Sequence, residues 1–211
     1  DSSVKVIVLR AAGEAFCAGA DLAYLQQLQN FSFEQNLEDS RQLKNLFLKI
    51  YQLKKVVIAQ VQGHALAGGC GLATVCDFTF AVPEAKFGYT EVKIGFIPAL
   101  VSVFLIRKIG EHKAKQLLLT GEVIKAQEAL TRGLINQVVN AEALEQSVFE
   151  FVSNLVESNS GQSMQLTKQL IAQVQSVSLE EGLEQAATMN AHARATEDCK
   201  AGIAAFLNKQ D

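Results

Sequence analysis

The run Val56–Asp77, VVIAQVQGHALAGGCGLATVCD, most constrains what this chain can fold into. Val56, Val57, Ile58, Ala59 and Val61 form the apolar, β-branched pattern of a strand buried on both faces, ending near Gln62-Gly63. A loop holding Gly63, Gly68 and Gly69 follows, and Leu72, Ala73, Val75 and Cys76 then recur at helical spacing. Glycines therefore stand where a strand gives way to a helix. The first turn of a helix leaves backbone N–H groups without internal partners and carries partial positive charge. Glycine lets a ligand oxygen come close to that backbone, which makes an anion or oxyanion site one reading of the run. Neither phosphate-loop spacing, GxxxxGKS/T or GxGxxG, is present. From the glycines alone the plainer reading is a close crossing of helix on strand, so other stretches must decide.

With 211 residues, 49% of them hydrophobic and 19% charged, the chain can build one good-sized domain, or a domain with an appendage, and is not a disordered segment. A net charge of −3 without basic clusters speaks against a nucleic-acid binder and against a membrane-surface protein. No apolar run approaches a membrane span, and no signal pattern opens the sequence. Cys17, Cys70, Cys76 and Cys199 lack metal-ligand spacing, so they read as free thiols in a reducing, cytoplasmic setting, and no metal site is expected. His64, His112 and His192 are scattered, and His64 in the glycine loop reads as a packing residue before a catalyst.

Val4–Leu9, VKVIVL, is a second buried strand, with only three residues before it, which predicts further residues upstream. Arg10–Asp21, RAAGEAFCAGAD, is then a glycine-containing loop, and Asp21 is placed to cap a helix carrying Leu22, Leu25 and Leu28. Two strand–loop–helix junctions could each aim one backbone N–H at a common oxygen. Between them, Phe31–Leu53 predicts a long amphipathic helix with Leu37, Leu43, Leu46, Phe47, Ile50 and Leu53 on one side. Strand, loop and helix repeated in this order imply right-handed crossovers and a parallel sheet, an α/β fold.

A further strand is expected over Phe78–Val82, a turn at Pro83–Lys86, and then FGYTEVKIGFIP, Phe87–Pro98. Glu91 in that stretch is either a surface carboxylate paired with Lys93 or a buried acid with a raised pKa suited to proton transfer. From Leu100 the pattern is helical: Leu100–Ile109, His112–Leu119 and Ala126–Arg132, a short strand within Gly133–Val139, then Ala141–Glu157 and Ser163–Val177. Ser178-Leu179-Glu180-Glu181 is a capping box opening a helix to about Ala195, and Thr196–Gln210 closes the chain helically. The expected division is residues 1–140 as core and 141–211 as a C-terminal helical region.

FCAGADL, QGHALAGGCGLATVCD, FGYTEVKIGFIP, LLLTGEVIKAQEALTRGLINQVV and TEDCKAGIAAFLNK, taken together and in this order, resemble the crotonase family, the enoyl-CoA hydratases and isomerases. The resemblance implies the family's ββα core and an acyl-CoA thioester as substrate, with coenzyme A entering as part of that substrate and no other cofactor. It implies that the thioester carbonyl is held by the backbone N–H groups of Ala20 and Gly68. Ala18, Asp21, Gly69, Gly71, Pro98 and Ala99 fall on substrate-binding positions by the same resemblance. Glu91 matches one of the two carboxylates of the hydratases, whereas Gly71 stands where they carry the other. Glycines usual after the proline are also replaced, since Ala99-Leu100-Val101 follow Pro98.

One carboxylate suffices to move a proton between two carbons, so the resemblance implies a Δ3,Δ2-enoyl-CoA isomerase-like reaction. The alternatives are a hydratase working with Glu91 alone, on a branched substrate such as methylglutaconyl-CoA, a thioester hydrolase or decarboxylase on the same scaffold, or a non-catalytic CoA-binding relative. Homotrimers or hexamers built through Ser178–Gln210 are also implied; Lys209 could reach a CoA phosphate, but a solvated tail lysine is the plainer reading.

Overall fold

The computed structural model describes residue 1 and residues 3–208, so the expected role of Lys209 lies outside the described residues. The chain divides into two compact units. The larger takes Val8–Tyr51 and Val57–Phe149, and the smaller takes Asp1–Ile7, Gln52–Val56 and the chain from Glu150 onward.

In order, the elements are β1 (Val6–Arg10), β2 (Ala15–Cys17), α1 (Leu22–Leu28), α2 (Phe33–Tyr51), β3 (Val56–Val61), β4 (His64–Leu66), α3 (Gly68–Val75), β5 (Phe78–Ala81) and β6 (Lys86–Gly88). A 3-10 turn at Glu91–Ile94 leads to α4 (Ala99–Ile109), α5 (Glu111–Thr120), β7 (Val123–Lys125), α6 (Ala126–Arg132) and β8 (Gln137–Val138). After a second 3-10 turn at Ala141–Ala143 come α7 (Leu144–Ser158), α8 (Gly161–Val174), α9 (Leu179–Ala195) and α10 (Glu197–Leu207).

Among the described residues the strands form two four-stranded sheets, ordered β1-β3-β5-β8 and β2-β4-β6-β7. The continuous apolar run of β3 is buried except at Gln60, as a strand covered on both faces requires. β3 pairs in parallel with β5, Ile58 opposite Phe78 and Val61 opposite Ala81, and β5 pairs in parallel with β8. In the second sheet β2–β4 and β4–β6 are parallel, whereas β6–β7 is antiparallel, Lys86 opposite Lys125.

That second sheet is where the structure departs from the sequence expectation. β2 lies inside what reads as one loop, β4 inside the glycine loop, and β7 in a connection between helices. Each is three residues long, too short for the alternation that marks a strand. Gly68 and Gly69 consequently form the first turn of α3 rather than a loop before it.

α3 is nearly all buried, and its C-terminal end is held by α4. Lys108 donates to the Thr74 carbonyl at 2.9 Å and the Cys76 carbonyl at 3.0 Å, so an ammonium group satisfies carbonyls that the helix leaves open. Burial lowers the pKa of this amine below the ordinary lysine value, while Cys76, Asp77 and Cys70 act in the opposite sense. Phe104 of α4 packs on Phe47 and Tyr51 of α2, with ring centroids 6.2 and 5.3 Å away.

The smaller unit is fastened by local caps. Ser178 accepts from the Glu181 N–H while the Glu181 carboxylate accepts from the Ser178 N–H, the reciprocal capping box expected for α9. Ser160 caps α8 and donates to Asp198 at 2.6 Å, and Lys5 donates to the Val156 carbonyl at 2.8 Å. Among the described residues no helix is long and apolar enough to cross a membrane.

The Lys108 clamp gives a test of the larger unit. Lys108→Met keeps the buried stem and deletes both charge-assisted hydrogen bonds, so urea denaturation is expected to show a loss of about 2 kcal/mol. Unchanged stability would mean that α3 does not depend on this cap.

Candidate active site

Three sequence-predicted segments leave parallel neighbouring strands at the same end of one sheet. Cys17 of β2 pairs with Ala65 of β4, and Leu66 of β4 with Gly88 of β6. The chain beyond β2 carries Ala18, Ala20 and Asp21, the chain beyond β4 carries Gly68 and Gly69, and the chain beyond β6 carries Glu91. Parallel pairing therefore gathers at one edge residues that lie some seventy positions apart in sequence.

The first two segments touch through backbone. A Cβ added to Gly69 would lie 2.0 Å from the Cys17 carbonyl oxygen and 2.7 Å from the Cys17 Cβ, so only glycine permits this approach. A Cβ on Gly19, whose φ is +101°, would meet the Ala67 Cβ at 3.2 Å and the Gly68 nitrogen at 3.8 Å. Ala67 itself holds a left-sided conformation, φ 50° and ψ −128°, and is the one non-glycine with positive φ among the described residues. Its N–H donates to the Gly88 carbonyl at 2.8 Å and its carbonyl accepts from Gly71 at 3.1 Å. α3 is thus launched from β4 at a fixed angle, with Gly68 in the first turn, where N–H groups have no helical carbonyl to meet.

Ala18 and Ala20 are exposed in the bend before α1. Asp21 caps α1, accepting from Ala23 at 2.8 Å and Tyr24 at 3.1 Å. Pro98 is the N-cap residue of α4, and Ala99 is its first helical residue. Gly71 is buried, and the space its side chain would take is filled: a Cβ there would lie 2.2 Å from Val101 Cγ1 and 3.2 Å from Phe47 Cζ.

Glu91 opens the 3-10 turn after β6, half-buried, with Oε2 buried and lacking any hydrogen-bond partner. Burial raises the pKa of its carboxyl, and a hydrogen bond with its own backbone opposes that less strongly. Below the turn, the Tyr89 hydroxyl lies 2.6 Å from Thr74 Oγ1, and Thr74 donates to the Cys70 carbonyl at 2.8 Å. The Thr74 proton being committed, Tyr89 is the donor of the pair. Burial pushes the Cys70 thiol up to about 12 and the Tyr89 phenol well above its ordinary value. Cys70 is therefore a protonated packing residue at neutral pH, not a nucleophile. His64 on β4 is half-buried, with a buried, unpartnered Nδ1.

The arrangement can polarise a carbonyl oxygen with backbone N–H groups and move a proton with one desolvated carboxylate. Sequence reasoning missed Phe47 and Val101 as occupants of the Gly71 space. The bulk after Pro98 was the available signal, but the partner it meets comes from another helix.

The family model for enoyl-CoA hydratase/isomerase matches residues 1–211. The chain belongs to the enoyl-CoA hydratase/isomerase family. A Thermus thermophilus protein named as an enoyl-CoA hydratase is 44% identical over 211 residues, covering 100% of this chain and 83% of the relative. The crotonyl-CoA hydratase of Syntrophomonas wolfei is 36% identical, covering 100% of this chain and 80% of the relative. The crystal structure of the Mycobacterium smegmatis enoyl-CoA hydratase superposes with a TM-score of 0.93 at 32% identity, over 99% of this chain and 80% of that one. The crotonase-like α/β fold that the motifs implied is thus the fold of this family member.

Two outcomes follow from the geometry. Gly69→Ala adds a better helix former yet drives its Cβ into the Cys17 carbonyl, so stability is expected to fall by about 3 kcal/mol in urea titrations. No loss would show that the two loops are not held in contact. Because Glu91 has a folded-state pKa above its unfolded value, the fold binds its proton more tightly than the unfolded chain does. Stability of the wild type relative to Glu91→Gln is therefore greatest below the ordinary glutamate pKa and declines as pH rises through the raised one. A wild-type advantage that grows with pH would contradict the burial of this carboxylate.

Proposed function

We propose that this chain is an acyl-CoA enzyme that moves a double bond between the 3 and 2 positions of an enoyl thioester, using Glu91 as its one acid–base group. The observation that supports this reading is the buried, unpartnered Oε2 of Glu91, in the turn that follows β6, the strand paired in parallel with β4, beyond which Gly68 lies. The N–H groups of Ala20 and Gly68 donate to the thioester oxygen held between them, with Ala18, Gly69 and the Pro98–Ala99 bend shaping the surrounding pocket. The Glu91 carboxylate removes a proton from C2 of a 3-enoyl thioester. The C–H electron pair moves through C2 to the carbonyl oxygen, giving a dienolate that the two N–H groups stabilise. Removing one such donor in other enzymes costs roughly 2.7–4 kcal/mol of transition-state stabilisation. Glu91, now a carboxylic acid, returns the proton to C4 as the double bond settles between C2 and C3. Protons balance within one residue, and the reaction draws on nothing beyond the coenzyme A that the substrate carries.

Burial suits Glu91 to this work. A raised pKa makes the carboxylate a stronger base toward a C–H bond, and the cost is protonation at a higher pH than an exposed glutamate would show. The acid limb of the rate profile is expected above the ordinary glutamate pKa.

The names of the relatives favour a second reading, hydration. The Syntrophomonas wolfei relative is named a crotonyl-CoA hydratase and an Escherichia coli relative, 34% identical, a 2,3-dehydroadipyl-CoA hydratase. Here Glu91 would take a proton from water as the oxygen adds to C3, then deliver it to C2. Assembly as a homotrimer or hexamer is part of the proposal. Leu179, Leu183 and Phe206 on α9 and α10 are largely exposed and would supply apolar contact area.

Purified protein given 3-enoyl-CoA and, separately, 2-enoyl-CoA separates the readings by conjugated-thioester absorbance and product mass. Conjugation gained at constant mass supports isomerisation, and conjugation lost with the mass of one water supports hydration. Glu91→Gln is expected to lower turnover by about 10²–10⁴-fold while acyl-CoA still binds. Retained turnover would remove Glu91 from the mechanism.

A further inference from the structure

Gly71 and Val101 belong to different helices, and one stands in the space of the other. A Cβ on Gly71 would lie 2.2 Å from Val101 Cγ1, with Phe47 Cζ and Cε2 at 3.2 and 3.3 Å behind it. Real Cβ atoms do not come that close to a carbon, so a side chain at 71 requires that one of these neighbours move. Neither is free to do so. Val101 is 4% exposed and sits one turn from the fully buried Leu105 on the inner face of α4. Phe47 is 1% exposed and is braced edge-on by Phe104. α4 cannot back away as a body without breaking the Lys108 bonds to the end of α3.

The position matters because Gly71 is one turn along α3 from Gly68 and shares its face. A carboxylate projected from 71 would stand on the same side of α3 as the backbone N–H proposed to hold the thioester oxygen. Water addition divides naturally between one group that takes a proton from water and another that protonates carbon, whereas a proton shift needs one group only. The bulk of Val101 therefore does more than fill a core.

We propose that Gly71 and Val101 form a size-coupled pair, and that Val101 is the specificity-determining residue that keeps this site to a single carboxylate. The inference rests on the single-glutamate reading of the site. Restoring an acid at 71 alone does not convert the enzyme, because the acid has nowhere to go until the valine branch is removed.

The test is a stability cycle together with a change in product. In the wild-type background Gly71→Ala is expected to lower the melting temperature by about 4 °C, despite the higher helix propensity of alanine. In a Val101→Ala background the same substitution is expected to be neutral or stabilising. Equal shifts in the two backgrounds, or a rise in the first, overturn the pair. For the chemistry, the doubly substituted G71E/V101G protein is expected to hydrate 2-butenoyl-CoA at least about tenfold faster than V101G, with the hydrated-to-isomerised product ratio rising, whereas G71E alone gains nothing. An equal gain in G71E, or a folded double variant with no gain, overturns the role given to Val101. Failure of the underlying reading looks different: the wild type would not isomerise 3-enoyl-CoA, while the stability cycle would still report on the pair.

Discussion

The structure turns on backbone meeting backbone where the first turn of α3 lies against the end of β2. A Cβ at position 69 would lie only 2.0 Å from the Cys17 carbonyl oxygen, so this carbonyl and the helix start are in direct contact. Apart from the Cys17 Cβ, the atoms that meet Gly69 are backbone, which cannot adapt as a long side chain can. The helix terminus, its partial positive charge and its unspent N–H groups are therefore fixed relative to the neighbouring loop. A wet, side-chain-lined crossing of the same two elements would leave those groups to solvent and to chance rotamers.

Around this junction the fold deploys polar groups in two contrasting ways. Thr74, Tyr89 and the Cys70 carbonyl form a closed buried chain in which each proton has a recipient, and Lys108 closes the far end of the same helix. Satisfied networks of this kind rigidify without inviting chemistry. Glu91, two residues beyond Tyr89, contrasts with this chain, as His64 does through Nδ1: its Oε2 is desolvated and has no protein partner.

Much of this was legible in the residues. The β3 run, the Asp21 cap, the Ser178 capping box and the limits of α6 all follow from local patterns that tertiary contacts did not override. The second sheet was not legible, because β2, β4, β6 and β7 are three-residue strands whose only evidence is their pairing. For the same reason sequence could name Ala20, Gly68 and Glu91 but could not say why they share an edge, which depends on the parallel register of those short strands. Gly71 shows the limit most clearly. Its missing side chain is visible in the sequence, yet the Phe47 and Val101 atoms that fill the space come from α2 and α4.

Ala67 ties these strands to the helix in a further respect. An alanine at φ 50° sits in a region that costs about 1–3 kcal/mol and persists only where its surroundings enforce it. Here the enforcement comes from the hydrogen bond to Gly88 on the neighbouring strand and the return bond from Gly71. If the β4–β6 ladder frays, the alanine relaxes and the helix start loses its direction. The start of α3 thus has no local opening mode of its own, and its amides should exchange with solvent only as fast as the sheet itself comes apart.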